Sequence, residues 1–92
     1  MLTAEEARKI TEEARNASWE EERAHADMLL EGIEKTIREE ASKGYSVKTF
    51  RFTAKAWGSQ RAVEYARKVL EEAHYKLYIG KENSLGLVDV SW

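Results

Sequence analysis

The sequence predicts an α+β fold in a single domain (residues 1–92), with a long N-terminal helix and a two-layer βαββ unit around a small three-stranded sheet. Residues 3–43 form a helical pattern with no proline and one interior glycine, Gly32. Residues 44–92 alternate between strand and helix patterns, which is typical of a small sheet covered by helices on one face. A continuous helix of this length would span roughly 60 Å, so we expect another copy of the chain to cover part of it.

The composition favours a small globular protein and excludes several classes of site. Of the 92 residues, 42% are apolar and nine are aromatic, although 35% are charged. The chain has no cysteine, which excludes disulfides, thiolate zinc sites and a cysteine nucleophile. The sequence shows neither a signal-peptide pattern nor an apolar run long enough to span a membrane. We therefore expect a cytoplasmic protein without a membrane-embedded part.

The charge is distributed unevenly along the chain. Residues 1–43 carry seven Lys/Arg against twelve Asp/Glu, and residues 44–92 carry eight against five. The first segment is therefore acidic (−5) and the second basic (+3). Residues 48–68 hold six Lys/Arg against one glutamate. This basic segment is either a surface that attracts phosphate or an ordinary solvated face.

The ends of the long helix have recognisable capping signals. Thr3 and Glu6 have capping-box spacing, so we expect the helix to begin at residue 3. Lys43 and Gly44 supply a cation and a C-terminal glycine, which should end it. Ser18 and Glu21 form a second capping-box pattern, so a kink or break near residues 16–18 is the alternative to a continuous helix.

Apolar residues at helical spacing divide the long helix into two parts. The first part is mostly alanine and suits close approach of another helix, whereas the part from Met28 to Ile37 is bulky enough to cover a sheet. Trp19 should mark either a contact between chains or a fold-back of the first segment. The predicted oligomer interface consists of Ala7, Ile10, Ala14, Ala17, Trp19 and Ala24.

The first strand and the following helix of the compact half are predicted from residues 45–73. Residues 45–52 have strand character, but the apolar positions change parity between Val47 and Phe50, which indicates a bulge or an imprecise strand start. Gly58 and Ser59 then open a helix with one apolar face that extends to Ala73. This helix should cross over to the second strand.

The C-terminal residues predict a β-hairpin. Residues 75–79 and 88–92 alternate apolar and polar side chains, and residues 82–86 carry turn signals between them. Trp92 has the same parity as Val88 and Val90, so we expect it to point into the core. Its loss should then cost about 3 kcal/mol or more if it is fully buried.

Several short features resemble a group of small proteins encoded by bacteriophages and prophages. They are the opening TAEEAR (residues 3–8), the Gly44-Tyr45 end of a long charged helix, the βαββ body and the terminal Ser91-Trp92. The resemblance implies a non-structural phage accessory product in the host bacterial cytoplasm. Many such proteins antagonise host defence by occluding a protein or by sequestering a signalling molecule. The resemblance assigns no catalytic residue to this chain.

The start of the second helix is a candidate site for a phosphate or a nucleotide. Backbone N–H groups at a helix start attract anions, and an aromatic ring nearby can stack on a base. The alternative is that Ser59 is an ordinary helix cap and Trp57 a packing residue. The candidate ligand-binding residues are Lys55, Trp57, Ser59 and Arg61.

The remaining patterns favour binding over catalysis. No nucleophile elbow, P-loop or catalytic triad spacing is present, so we expect no enzymatic activity and no cofactor. Two Glu-x-x-His spacings, at residues 22–25 and 71–74, are explained by the abundance of glutamate, and we expect no metal site. The acidic surface predicted to dock on a basic partner consists of Glu12, Glu13, Glu20, Glu21 and Glu22.

The leading hypothesis is therefore an oligomeric phage protein, at least dimeric, that inhibits a host defence protein by binding to it. The first alternative is a sponge for a nucleotide immune signal. The second is a small structural or assembly protein of the phage particle. Direct binding to DNA is not expected.

Overall fold

The computed structural model describes residues 1–80 and 85–92. It has an α+β fold, as predicted, with dimensions of 64 × 27 × 20 Å that reflect the length of the first helix. The elements are α1 (Ala4–Ser42), β1 (Val47–Arg51), α2 (Ala54–Trp57), α3 (Gln60–Glu72), β2 (Lys76–Ile79) and β3 (Leu87–Ser91). Within the described residues, no helix has an apolar segment long enough to cross a membrane.

Both ends of α1 form as their capping residues predict. The Thr3 hydroxyl accepts a hydrogen bond from the Glu6 N–H at 3.1 Å. At the other end Gly44 adopts a positive φ of 92°, and the Tyr45 N–H donates to the Glu40 carbonyl across the end of the helix. The predicted range of 3–43 is thus confirmed to within one residue at each end.

The helix α1 is continuous through residues 16–18, so the predicted alternative of a break is wrong. Ser18 does not act as a cap. Its hydroxyl instead donates to the Glu22 carboxylate, one turn further along the same helix, at 3.4 Å. A side chain bonded within the helix leaves the backbone ladder intact, which explains why the capping-box pattern at Ser18 does not end the helix.

The three strands form an antiparallel sheet in the order β1-β3-β2. The predicted C-terminal hairpin is therefore confirmed, although residues 82–84 of its predicted turn lie outside the described residues. Strand β1 pairs with β3 from Val47–Ser91 to Arg51–Leu87 with no extra residue. The change of parity is therefore not a bulge. The strand begins at Val47, later than the predicted residue 45, and Val47 faces the exposed side of the sheet.

A single helical turn, α2, lies between β1 and α3 and escaped prediction. The Thr53 hydroxyl caps it by accepting from the Ala56 N–H at 3.1 Å. Trp57 at its end is only 3% exposed and stacks on Phe52 with ring centroids 5.0 Å apart. The Trp57 indole N–H donates to the Arg51 carbonyl at 2.9 Å, so its polar atom is satisfied inside the core.

The core lies between one face of the sheet and the three helices. It combines residues from α1, α2, α3 and β3 with Phe52. Its buried members are Ala26, Ile33, Ile37, Phe52, Trp57, Ala62, Val63, Ala66, Leu70, Val88 and Val90.

Two residues predicted to belong to the core lie outside it. Met28 is 69% exposed, so the core face of α1 does not begin there. Trp92 is 38% exposed, and its predicted burial is wrong. Its N–H donates to the Ser46 carbonyl, which places Trp92 beyond the last pair of the β1–β3 ladder, at the rim of the sheet.

Candidate functional site

The most distinctive surface is the side of α1 that lies opposite its core residues, which we call the outward face. At 100° per residue its members fall in a band roughly 100° wide, centred roughly 150° from the core residue Ala26. Ile10 is 57% exposed, and Ala7 is half-buried. The outward face consists of the apolar residues Ala7, Ile10, Ala14, Ala17, Ala24 and Met28, and the exposed Glu21 lies in the same band and interrupts it.

The outward face contains five of the six residues predicted for the oligomer interface and adds Met28. Ala14, Ala17 and Ala24 are all exposed, as are Ile10 and Met28. By its spacing, Met28 fits both the outward stripe and the core stripe of α1. Spacing alone therefore placed it wrongly in the core. The outward face therefore continues, past Glu21, for about two and a half turns beyond Trp19, where the body of the protein begins.

Trp19, the sixth predicted interface residue, packs within its own chain. It meets Tyr65 of α3 edge-on, with ring centroids 5.5 Å apart, and the Arg61 guanidinium lies 4.3 Å from its ring centroid. The predicted fold-back of the first segment is wrong, because α1 is continuous there. The alternative role of Trp19, a contact between chains, stays a prediction. Trp19 marks the place where α1 leaves the body.

A hydrogen bond next to Trp19 joins α1 to α3. The Tyr65 hydroxyl donates to the Asp27 carboxylate at 2.6 Å. This bond is the main reason why the pKa of Tyr65 lies above its usual value of 10.0, with partial burial acting in the same direction and Arg23 opposing it. The contact links α1 to α3 beside the Trp19–Tyr65 ring pair.

The segment of α1 before Trp19, Ala4–Ser18, is the arm. All of its side chains are exposed except the half-buried Ala7. Its 15 residues extend roughly 22 Å from the body at 1.5 Å per residue. A helix this exposed gains little from packing within its own chain, so its order depends on its own hydrogen bonds and on any partner.

The residues predicted to hold a phosphate are mostly engaged with other groups. The Ser59 hydroxyl caps α3 by accepting from the Ala62 N–H at 3.1 Å, and it donates to Glu22 at 3.0 Å. The Glu22 carboxylate thus lies at the helix start, where a bound phosphate would lie. Trp57 is buried and Arg61 lies over Trp19, which leaves Lys55 as the exposed member without a described side-chain contact.

The predicted acidic surface is largely accessible. Glu12, Glu13, Glu20 and Glu21 are exposed, and they lie on several sides of α1. Glu22 is the exception, because it is half-buried and bonded to Ser59 and Ser18. The first four residues can meet a partner, whereas Glu22 has a structural role. Across the described residues, no group of three or more histidine or acidic side chains is arranged to hold a metal ion.

A groove between α1 and α3 was not predicted from the sequence. Its volume is about 540 Å³, and Leu30, Val69 and Tyr75 are half-buried along it. Asp27, Glu31 and Glu34 supply an acidic wall on the α1 side. The signal in the sequence was weak, since these apolar residues fit the core stripes of both helices and only packing shows that they are incompletely covered.

Comparisons with known proteins do not assign the chain to a family. No protein-family model matches it, and no curated protein or solved structure matches it significantly.

Proposed function

We propose that this chain is a non-catalytic binding protein that works as a homo-oligomer of at least two copies. The observation that supports this proposal is the outward face of α1, a band of exposed apolar residues, interrupted by Glu21, on the side opposite the core. Ile10 and Met28 are among its most exposed large side chains, at 57% and 69%. Aligned apolar residues of this kind on an exposed helix are typical of an interaction surface.

A helix from a second copy suits this surface. The exposed Ala14 and Ala17 allow two helix backbones to approach closely, and Ile10 can then pack beside that contact. Glu21 separates this part of the face from Ala24 and Met28. The core residues of α1 lie on the opposite side of the helix, and Arg61 is the residue of the body that lines a cavity with Ile10 and Ala14. Self-association would cover the exposed part of α1 that the compact half cannot reach.

The partner that we propose is a host defence protein in the bacterial cytoplasm. The phage context rests on the resemblance of the TAEEAR opening and the chain ends to phage proteins. The proposed recognition surface rests on the acidic charge of the arm. Glu12 and Glu13 are exposed on the arm, well away from the packing contacts of the body. Paired with a basic surface, they would favour fast association and selectivity for that partner. Binding there would block the defence protein by occlusion.

The experiment that tests this proposal combines native mass spectrometry with charge reversal. The wild-type protein purified from infected cells should appear as an oligomer with a bound host protein. Glu12→Lys with Glu13→Lys should lose the host protein and the inhibition while keeping the oligomeric mass. The control is Glu71→Lys with Glu72→Lys, which makes the same charge change on exposed residues of α3. Retained binding and inhibition in the arm variant would contradict the proposal.

The two alternatives stay predictions with their own tests. A nucleotide sponge requires that substitution of Lys55 or Arg61 remove the heat of binding of a cyclic or ADP-ribose-type nucleotide. The burial of Trp57 and the position of Glu22 at the start of α3 do not favour it. A structural role requires that the protein be present in purified phage particles, which mass spectrometry of the particles measures.

A further inference from the structure

We infer that the free edge of β1 is a binding site for an extended acidic segment of a partner protein, which would join the sheet as a fourth strand. The site belongs to the compact half of the chain, whereas the proposed self-association uses the outward face of α1. It gives a role to part of the basic charge of residues 48–68, which that self-association does not use.

The hydrogen bonds at the two ends of β1 show which of its backbone groups are free. The Trp92 N–H donates to the Ser46 carbonyl at 3.0 Å, and the Phe52 N–H donates to the Gly86 carbonyl at 2.7 Å. Both bonds follow the register of the β1–β3 ladder, so the even-numbered residues of β1 exchange backbone bonds with β3. The odd-numbered residues direct their N–H and carbonyl groups to the other side, where the described part of the chain has no further strand.

Five backbone groups are open along this edge within the described residues. Val47 and Thr49 each offer an N–H and a carbonyl. Arg51 offers its N–H, since its carbonyl already accepts from the Trp57 indole N–H at 2.9 Å. Val47, Thr49 and Arg51 are all exposed. An extended peptide can pair with such groups as the next strand of the sheet, which is a common mode of peptide recognition.

A small pocket beside β1 can receive a side chain of the added strand. Its volume is about 180 Å³, below the roughly 300 Å³ of the smallest typical small-molecule sites. Its apolar lining includes the half-buried Leu29 and Phe50 and the exposed Ala56. The lining comes from α1, β1 and α2 and includes no residue of β3, so the pocket lies toward the free edge of β1. One apolar side chain on the covered side of the sheet, next to Phe50, would fill it.

The basic residues around the free edge favour an acidic partner. One lies at the C-terminal end of α1, two lie in β1 and one lies in α2. All are exposed. They are Lys43, Lys48, Arg51 and Lys55.

The acidic residues at the end of α1 offset only part of this charge. Glu40 lies 3.9 Å from both Lys43 and Lys48, so one carboxylate is shared between two cations. Glu39, the other acidic residue in the last turn of α1, is turned about 100° away from Glu40 round the helix. One of the two lysines therefore stays available to a second carboxylate.

The remaining two cations form no ion pair within the described part of the chain. They are Arg51 and Lys55. Asp89, on the neighbouring strand β3, accepts a hydrogen bond from the Thr49 hydroxyl and is the acidic residue on the exposed side of the sheet closest to the edge. An excess of basic charge thus remains along β1.

The same charges disfavour β1 of a second copy as the added strand. Each copy would bring Lys48 and Arg51 to the shared edge, where the cations of both strands would gather. Basic residues on an edge strand are a device that prevents identical edges from pairing. An extended segment with acidic residues on the exposed side of the sheet and an apolar residue on the covered side meets both the charges and the pocket.

Nuclear magnetic resonance of the isotope-labelled protein with a blocked hexapeptide, Glu-Thr-Glu-Leu-Glu-Thr, tests the inference. As an extended strand, the peptide places its carboxylates on one side and its leucine on the other. Binding should saturate at peptide concentrations of about 1 mM or lower. It should slow hydrogen exchange severalfold at the amides of Val47, Thr49 and Arg51. The amides of Leu77 and Ile79 point to the free edge of β2 and are the internal control, so their exchange should not change.

A proline substitution tests the backbone pairing. Thr49→Pro removes an N–H from the free edge but no bond to β3, so the ladder is kept. Thr49→Ala is the matched control, because both variants lose the hydroxyl bond to Asp89. Thr49→Pro should bind the peptide about tenfold more weakly than Thr49→Ala. Equal affinity of the two folded variants would overturn the inference, and the exchange measurement on the wild type decides it should the proline unfold the chain.

Other results would also overturn the inference. One is an absence of saturable binding, and another is binding of the charge-reversed peptide Lys-Thr-Lys-Leu-Lys-Thr with equal affinity. Slower exchange at Leu77 and Ile79 alone would place the added strand on β2. Slower exchange at Val47 and Thr49 that depends on protein concentration without any peptide would assign the edge to a second copy.

Discussion

The two halves of α1 carry similar apolar residues, but those of the first half are mostly exposed and those of the second half mostly pack in the core. Ile10 in the arm is 57% exposed, whereas Ile33 in the second half is 6% exposed and packs in the core. Both halves belong to one unbroken helix, so the difference arises from what lies beside each residue and not from helix propensity. One continuous helix thus supplies the core of the domain with some of its apolar residues and leaves others exposed to solvent.

The largest predicted effect concerns the core side of this comparison. Replacing Trp57 by alanine should destabilise the protein by about 3–5 kcal/mol, because a buried indole is removed from its stack on Phe52 and from its bond to Arg51. The same substitution at Trp92, which is 38% exposed, should cost less than about 2 kcal/mol. Urea unfolding of both variants measures the difference. Equal losses at the two positions would show that the edge of the sheet is part of the core.

The second prediction compares isoleucines within α1. Ile33→Ala should destabilise the chain by about 2–4 kcal/mol, since it leaves a cavity between α1 and the sheet. Ile10→Ala should change the stability of the monomer by less than about 0.5 kcal/mol. Unfolding is compared at a concentration low enough for both proteins to be monomeric, because association adds to apparent stability.

At higher protein concentration, the same two substitutions also distinguish the outward face from the core. There Ile10→Ala should weaken association, and Ile33→Ala should not do so while the protein stays folded. A large loss of monomer stability from Ile10→Ala would mean that the arm packs on its own body.

A third, smaller effect is expected at the helix caps. Ser59→Ala removes the cap of α3 and the bond to Glu22, and it should cost about 1–2 kcal/mol of global stability. Thr3→Ala removes the equivalent cap from the end of the arm. It should fray the first turn with little effect on global unfolding, because that turn lies far from the core. Circular dichroism together with urea unfolding distinguishes local fraying from global loss.

The smallest effect concerns the contact between the two regions. Tyr65→Phe should cost about 0.5–1 kcal/mol at neutral pH by removing the bond to Asp27 at a largely exposed site. The pKa of Tyr65 is raised in the folded state, so this stabilisation is fully present below about pH 10 and is lost as the pH rises through the raised value. The stability difference between wild type and Tyr65→Phe should therefore shrink in alkali. A difference that stays constant there would show that the hydroxyl proton plays no part.

Local signals in the sequence predicted the fold well. The caps at Thr3 and Gly44 and the start of α3 at Ser59 follow from side-chain and backbone chemistry within a few residues, so they were recognisable without tertiary information. The alternation of residues 75–79 and 88–92 predicted the hairpin for the same reason. The one-turn helix α2 was missed because four residues are too few to show helical spacing.

The misjudged residues depend on contacts between elements. Trp19 contacts α3 because α3 packs against α1 at the level of Trp19. The spacing of residues within α1 does not predict this contact. Met28 fits two overlapping stripes, and packing alone decides that it faces outward. Trp92 has the parity of the core but lies at the rim of the sheet, beyond the last residue pair of the β1–β3 ladder. The outward face was thus predicted in outline, while its extent and its separation from Trp19 required the structure.

The central claim is that the outward face of α1 binds a second copy of the chain. Sedimentation equilibrium of the wild type and of Ile10→Glu, across micromolar concentrations, tests it most directly. The wild type should show at least twice the chain mass of 10.6 kDa, and Ile10→Glu should sediment as a folded monomer. A wild type that sediments at 10.6 kDa at every concentration would contradict the account.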